Sequence, residues 1–138
     1  MSTRRLRTLT GLAATLAILG AGCGSNNTPT APSTPSGPAS ENWSGVLAPG
    51  GSSSRSFTVN AAGTITVTMT TAGATVGLGV GLPRVSGGGC RLSVVVNSGG
   101  SASPQISTPA DAGQYCVQVF DLGTLTDPVG FAMKIDHP

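Results

Sequence analysis

Between Thr64 and Thr70 the chain reads Thr-Ile-Thr-Val-Thr-Met-Thr, alternating polar and apolar without a break. A period of two sends Ile65, Val67 and Met69 to one face and the threonines to the other, the pattern of a half-buried strand with one wet side. Thr75 to Leu82 repeats the period, predicting Val76, Leu78, Val80 and Leu82 inward with glycines between them. Four more runs follow the same rule: Phe57 and Val59; Leu92, Val94 and Val96; Tyr115, Val117 and Val119; and Val129, Phe131, Met133 and Ile135. Trp43–Leu47 and Gln105–Ser107 are weaker runs. Turn signals separate them, among them Pro49-Gly50-Gly51, Gly87-Gly88-Gly89, Ser98-Gly99-Gly100 and Asp127-Pro128. About eight short strands with this punctuation predict an all-β, antiparallel β-sandwich over residues 41–138. A small closed barrel shares the pattern and stays open as the alternative. A membrane-spanning barrel does not fit, because the aromatic girdles that flank its spans are missing and aromatics total 4%.

The first 22 residues follow no such period. Arg4, Arg5 and Arg7 precede an apolar run from Leu9 to Leu19, and small residues Gly20-Ala21-Gly22 lead to Cys23. A run this short falls below the roughly 18 residues that span a bilayer. A basic start, an apolar middle and a small-residue boundary make a signal peptide. With Cys23 at the boundary, the segment resembles the lipobox leader of bacterial lipoproteins. Gly20 stands where that family usually has Leu, with Leu19 one place back. The resemblance implies cleavage before Cys23, a diacylglycerol on its thiol, and acylation (such as palmitate) of the new amine. It also implies attachment to the cell envelope, and to the outer membrane if the cell has two, since Gly24 stands where an inner-membrane retention signal would show Asp. An ordinary signal peptide cut near Ala21 or Gly22 is the alternative.

Residues 23–40 carry no charge and no large apolar side chain after Cys23. Such a segment has nothing with which to build a core and is expected to be a disordered tether. Pro29, Pro32, Pro35 and Pro38 recur every third residue, the repeat of polyproline II. At about 3.1 Å per residue it reaches on the order of 50 Å.

Charge sharpens this division. The formal net charge of +2 depends on the three leader arginines. After them, Arg55, Arg84, Arg91 and Lys134 face Glu41, Asp111, Asp121, Asp127 and Asp136, so the folded part is close to neutral. Charged residues make up only 9%. No basic footprint for nucleic acid exists, and no nucleic-acid partner is expected.

Cys23 being assigned to lipid, Cys90 and Cys116 remain as an even pair in an exported domain, which predicts a disulfide. Their phases disagree. Cys90 is in phase with Leu92 and Val94, whereas Cys116 is out of phase with Tyr115, Val117 and Val119. A bulge near Gly89 or a strand end is needed to reconcile them. A redox couple or metal thiolates would need a CxxC spacing or further ligands.

The stretch Asp111-Ala112-Gly113-Gln114-Tyr115-Cys116-Val117-Gln118-Val119-Phe120, followed by Phe131-Ala132-Met133-Lys134-Ile135, resembles the bacterial pre-peptidase C-terminal (PPC) domain. Phe57-Thr58-Val59, the Gly63 turn and Ile65–Thr70 fit the start of that family. The resemblance implies a jelly-roll-like sandwich acting as an accessory rather than a catalyst. Some relatives use calcium, but Ala72-Gly73-Ala74-Thr75 stands where acidic residues would be, so a calcium site is not carried over.

Candidate chemistry is sparse. Gly77-Leu78-Gly79-Val80-Gly81 lies in a strand pattern rather than before a helix, so it is no phosphate loop. His137 is the only histidine and is expected in a fraying tail; without a second histidine neither a zinc site nor a catalytic triad has members. Catalytic, metal and cofactor sites are therefore expected to be none, and the chain is read as not an enzyme. Asp121 and Asp127 flank a loop and are read as turn residues or, failing that, ligand contacts. Trp43 and Tyr115 are core aromatics or a sugar-stacking pair. The expectation is a lipid-anchored, non-catalytic binding or interaction module whose partners are the membrane, through Cys23, and an extracytoplasmic protein, peptide or glycan. A structural envelope protein without a soluble ligand is the second reading, and a small secreted hydrolase the third.

Overall fold

Eight strands account for most of the chain after Pro38. They are β1 (Ala39–Leu47), β2 (Ser52–Val59), β3 (Gly63–Ala72), β4 (Val76–Pro83), β5 (Cys90–Ser98), β6 (Ile106–Ala110), β7 (Gly113–Phe120) and β8 (Val129–His137). The computed structural model describes residues 37–138, so the leader, Cys23 and most of the tether lie outside the described residues. Two four-stranded antiparallel sheets form, in the orders β1-β8-β3-β6 and β2-β7-β4-β5. The prediction of an antiparallel sandwich holds, with the sheets open at both edges rather than closed as a barrel. β1 begins at Ala39, so the last two residues read as tether pair with His137 and Asp136.

The alternation explains the two-layer packing. Ile65, Val67 and Met69 of β3 and Phe131, Met133 and Ile135 of β8 meet Val76, Leu78, Val80, Val117 and Val119 of the opposing sheet, all almost fully buried. Burying each of these side chains contributes roughly 1.5–3 kcal/mol. The weaker runs are strands as well, both at edges: β1 adds Trp43 and Leu47 to the core, and β6 adds Ile106 and Ala110.

Only β4 and β5 are joined as a hairpin within one sheet; every other connection crosses between the sheets. Strand direction therefore sorts the loops into two ends. The entry end, where Ala39 starts β1 opposite His137, also holds the β2–β3 loop, whose Asn60 N–H donates to Pro138 O at 3.0 Å. Val59 pairs with Gly113 there, and Cys116 with Gly81, so β4 runs toward the same end and the β4–β5 turn projects from it. The β1–β2, β3–β4, β5–β6 and β7–β8 loops form the far end.

Three expectations need correction. Leu82 does not continue the buried row of β4 but is about half exposed, at the strand end beyond the last pair with β7, Gly81↔Cys116. Leu92 does not share a face with Val94. The register moves from Val80↔Val94 to Gly81↔Leu92, leaving Ser93 as an extra residue, a β-bulge. Its Oγ donates to Val80 O at 3.1 Å, which holds the bulge in place. His137 is no fraying tail residue: it ends β8 with its side chain 4% exposed, its ring 5.0 Å from that of Phe57.

Candidate functional site

The bulge at Ser93 decides where the cysteines meet. By shifting the phase of β5 it turns Leu92 and Cys90 onto the outer face of the second sheet, the face that Cys116 already occupies. Cys90 and Cys116 form a disulfide with Cα atoms 5.9 Å apart. They stand on β5 and β7, the two neighbours of β4, so the bond passes across β4 near Gly81. The phase conflict in the sequence is thus resolved by a bulge, at Ser93 rather than near Gly89.

The glycines of β4 complete this face. Gly77, Gly79 and Gly81 alternate with the core residues Val76, Leu78 and Val80 and so point outward. Without side chains they form a trench that neighbours fill. A Cβ at Gly77 would overlap the Phe120 ring, one at Gly79 would press on Leu92 Cδ1 at 2.8 Å, and one at Gly81 would overlap the Arg91 carbonyl at the bulge. Phe120 and Leu92 thus lie along the trench as half-buried apolar walls. On the far side of β7, Ser52, Ser54 and Ser56 pair with Phe120, Gln118 and Cys116, and cross-strand partners share a face. A row of hydroxyls therefore flanks the aromatic ring.

A shallow open depression of about 420 Å³ lies on the same face, bordered by the Phe120 and Leu92 that cover the glycines and by Gly50, Gly51, Ser52, Arg84, Cys90, Gln118 and Asp121. Gln118 Oε1 accepts from the Cys90 N–H at 3.1 Å, and Arg84 Nε donates to Cys90 O at 3.3 Å. These bonds fix both side chains beside the disulfide. An apolar ring, amides, hydroxyls and one guanidinium suit an extended peptide or an oligosaccharide; none of them is placed as a nucleophile beside a base.

Asp121 closes the far end of the depression as a loop-organising carboxylate. Its Oδ2 accepts from Gly50 N–H at 2.8 Å, and its Oδ1 from the N–H groups of Gly123, Thr124 and Leu125 at 2.9, 3.0 and 3.2 Å. The Gly50 bond is the largest cause of a pKa below the ordinary aspartate value; desolvation opposes it and the other three bonds add to it. Asp127 Oδ2 accepts from Thr126 Oγ1 at 3.1 Å. The two aspartates serve separate turns, and among the described residues no group of three or more His, Cys, Asp or Glu is placed to hold a metal ion.

Trp43 and Tyr115 are not brought together either. Trp43 on β1 packs edge-on against Phe131 with ring centroids 5.0 Å apart. Tyr115 on β7, in the other sheet, stacks on Phe57 at 6.3 Å, and its hydroxyl accepts from the Asp111 N–H at 3.2 Å. It also borders a second shallow depression of about 360 Å³ beside Gly63 and Pro109. His137 Nε2 lies 3.4 Å from Glu41 Oε1, while Arg55 Nη2 donates to Glu41 Oε2 at 2.8 Å. This cluster joins β1 and β8 of one sheet to β2 of the other and closes one open side of the sandwich.

Phe120, Leu92, Gln118 and Arg84 were not singled out by the sequence reading. A signal was present for Phe120: it sits out of phase with Tyr115, Val117 and Val119, an aromatic assigned to a wet face opposite a strand of alternating glycine.

Compared with known proteins, the chain matches no family model, and no curated protein matches it.

Proposed function

We propose that the protein is an exported, lipid-anchored component of a bacterial cell envelope whose β-sandwich is a non-catalytic binding module. The observation that carries this reading is Cys23 placed directly after Gly20-Ala21-Gly22 at the end of a basic, then apolar leader. The Cys90–Cys116 disulfide supports it, since such bonds persist in oxidising compartments outside the cytosol. The resemblance to a pre-peptidase C-terminal domain fits an accessory role, and the trench walled by Phe120 and Leu92 is the surface offered for an extended peptide or glycan.

Intact mass of the native protein tests the anchor: a chain beginning at Cys23 with added acyl mass is expected, and a chain beginning at Met1 without it overturns the reading. Cys23→Ser should move the protein from the detergent phase to the aqueous phase. For the module, the intact protein probed on arrays of extended peptides and oligosaccharides should lose its signals on Phe120→Ala. Signals untouched by that substitution would remove the trench from the proposal.

A second reading, structural assembly through a strand edge, draws on β5. Exposed edges are commonly blunted by inward charges, proline or shortness. β1 and β2 carry Glu41 and Arg55, and β6 has five residues including Pro109. β5 has nine residues, with Val94-Val95-Val96 at its middle and Arg91 as its only charge.

A further inference from the structure

We propose that the tip of the β4–β5 hairpin is a docking surface for an anionic lipid bilayer, a second membrane contact besides Cys23. Four observations converge on it. The first is apolar exposure: Val85 is fully exposed and Leu82 half exposed, two of the five large apolar side chains exposed among the described residues. The second is charge. Of the four cations among the described residues, Arg55 and Lys134 are in ion pairs with Glu41 and Asp136. Arg84 and Arg91, the other two, both lie at this tip and with Leu82, Pro83, Val85 and Ser86 line one depression of about 330 Å³.

The third observation is shape. Gly87, Gly88 and Gly89 all have φ between 68° and 87°, a left-handed path that reverses the chain with no side chain in the way. Val85 is left as the outermost apolar group. Arg84 Nε donates to Cys90 O, which holds the side-chain stem against the hairpin and leaves its terminal nitrogens for an outside acceptor. The fourth is placement: the tip projects from the entry end, where the described chain begins at Gly37 beside β1. Of the carboxylates, Asp121 and Asp127 lie in the β7–β8 loop at the opposite end, Glu41 and Asp136 near the entry end are paired with Arg55 and Lys134, and Asp111 in the β6–β7 loop is the one exposed acid that shares the tip's end.

An apolar side chain between guanidinium groups is the composition of an interfacial contact: the valine and leucine enter the boundary of the acyl region while the arginines pair with phosphates. Near an anionic surface each arginine strengthens binding about fivefold. The proposal rests on the lipid-anchor reading only for its proximity to a membrane, because the tip's own chemistry does not depend on Cys23.

The test uses the full native chain with Val85→Trp, reconstituted into vesicles of phosphatidylglycerol and phosphatidylethanolamine carrying brominated acyl chains. Trp43 supplies a background common to all variants. More than half of the added tryptophan emission should be quenched, against less than a tenth for Leu122→Trp at the far end. Adding Arg84→Glu and Arg91→Glu to Val85→Trp should cut the quenched fraction several-fold, as should replacing both lipids by phosphatidylcholine. A bound Val85→Trp protein with lipid mass whose added indole is unquenched, or quenched no more than that of Leu122→Trp, overturns the tip contact and leaves the anchor standing. A Val85→Trp protein without lipid mass that still binds anionic vesicles with its added indole quenched overturns the anchor and supports the tip. Equal quenching in phosphatidylcholine, or indifference to the charge reversals, overturns the docking to anionic lipid.

Discussion

β3 and β4 are built on the same rule and end in different surfaces. Each is one of the two inner strands of its sheet, and each alternates core residues with a single repeated outward residue type. Their inner faces are interchangeable in kind: Met69 and Leu78 are both fully buried. Their outer faces are not. Threonines stand on β3 and cover their own strand, whereas glycines on β4 leave the backbone bare, so Phe120, Leu92 and the disulfide come over from β7 and β5 to cover it. The absent side chain recruits its neighbours, and a trench with an aromatic wall results.

Substitutions can break this comparison at several depths. Leu78→Ala and Met69→Ala should each lose about 2–5 kcal/mol in denaturant unfolding, since both empty the same core. A large difference between them would show that the inner faces are not equivalent. Cys90→Ala with Cys116→Ala should lose about 3.5 kcal/mol, because the bond closes a long loop with a sequence separation of 26. No β3 counterpart exists for that loss. Gly81→Ala should lose about 1–3 kcal/mol, because the new methyl meets the backbone carbonyl of Arg91 rather than a side-chain tip that can swing away. Thr64→Ala, outward and exposed on β3, should stay within about 0.5 kcal/mol. Finding Gly81→Ala as mild as Thr64→Ala in melting experiments would remove close approach as the reason for glycine.

The smallest expected effect concerns the far rim of the trench and is pH-dependent. Asp121 has a folded pKa below its unfolded value of about 3.9, so its contribution is present above that value. It is lost as the pH falls through the folded pKa. Asp121→Asn should lower the melting temperature at neutral pH, and the gap to the parent chain should close as the pH falls through the folded pKa of Asp121. A constant gap between the two curves across that range would place the loss in geometry rather than in the charge.

Much of this was legible in the chain. Unbroken alternation at Thr64–Thr70 and Val129–Ile135 marks strands whatever their partners, because side-chain direction in a strand is a local property. The cysteine pair was legible from count, since two cysteines fall within the strand region. The trench was not, since Phe120 and Gly77 are far apart in sequence and meet only because β7 pairs with β4. His137 was misplaced for a related reason: a penultimate residue reads as a loose end until Ala39 pairs across from it and Glu41 and Phe57 pack against it.

By itself the sequence determined that this chain forms alternating strands with one apolar face each, that a basic and then apolar stretch runs up to Cys23, and that two further cysteines lie among the strands. Tertiary structure alone decided which strands are neighbours, that one inserted residue at Ser93 turns Cys90 toward Cys116, and that the arginine-bearing hairpin shares an end with the start of β1. The physical reason is the period of two: it sets a side chain's face within its own strand, but one extra residue reverses that face. Only pairing between distant segments selects the neighbour across it.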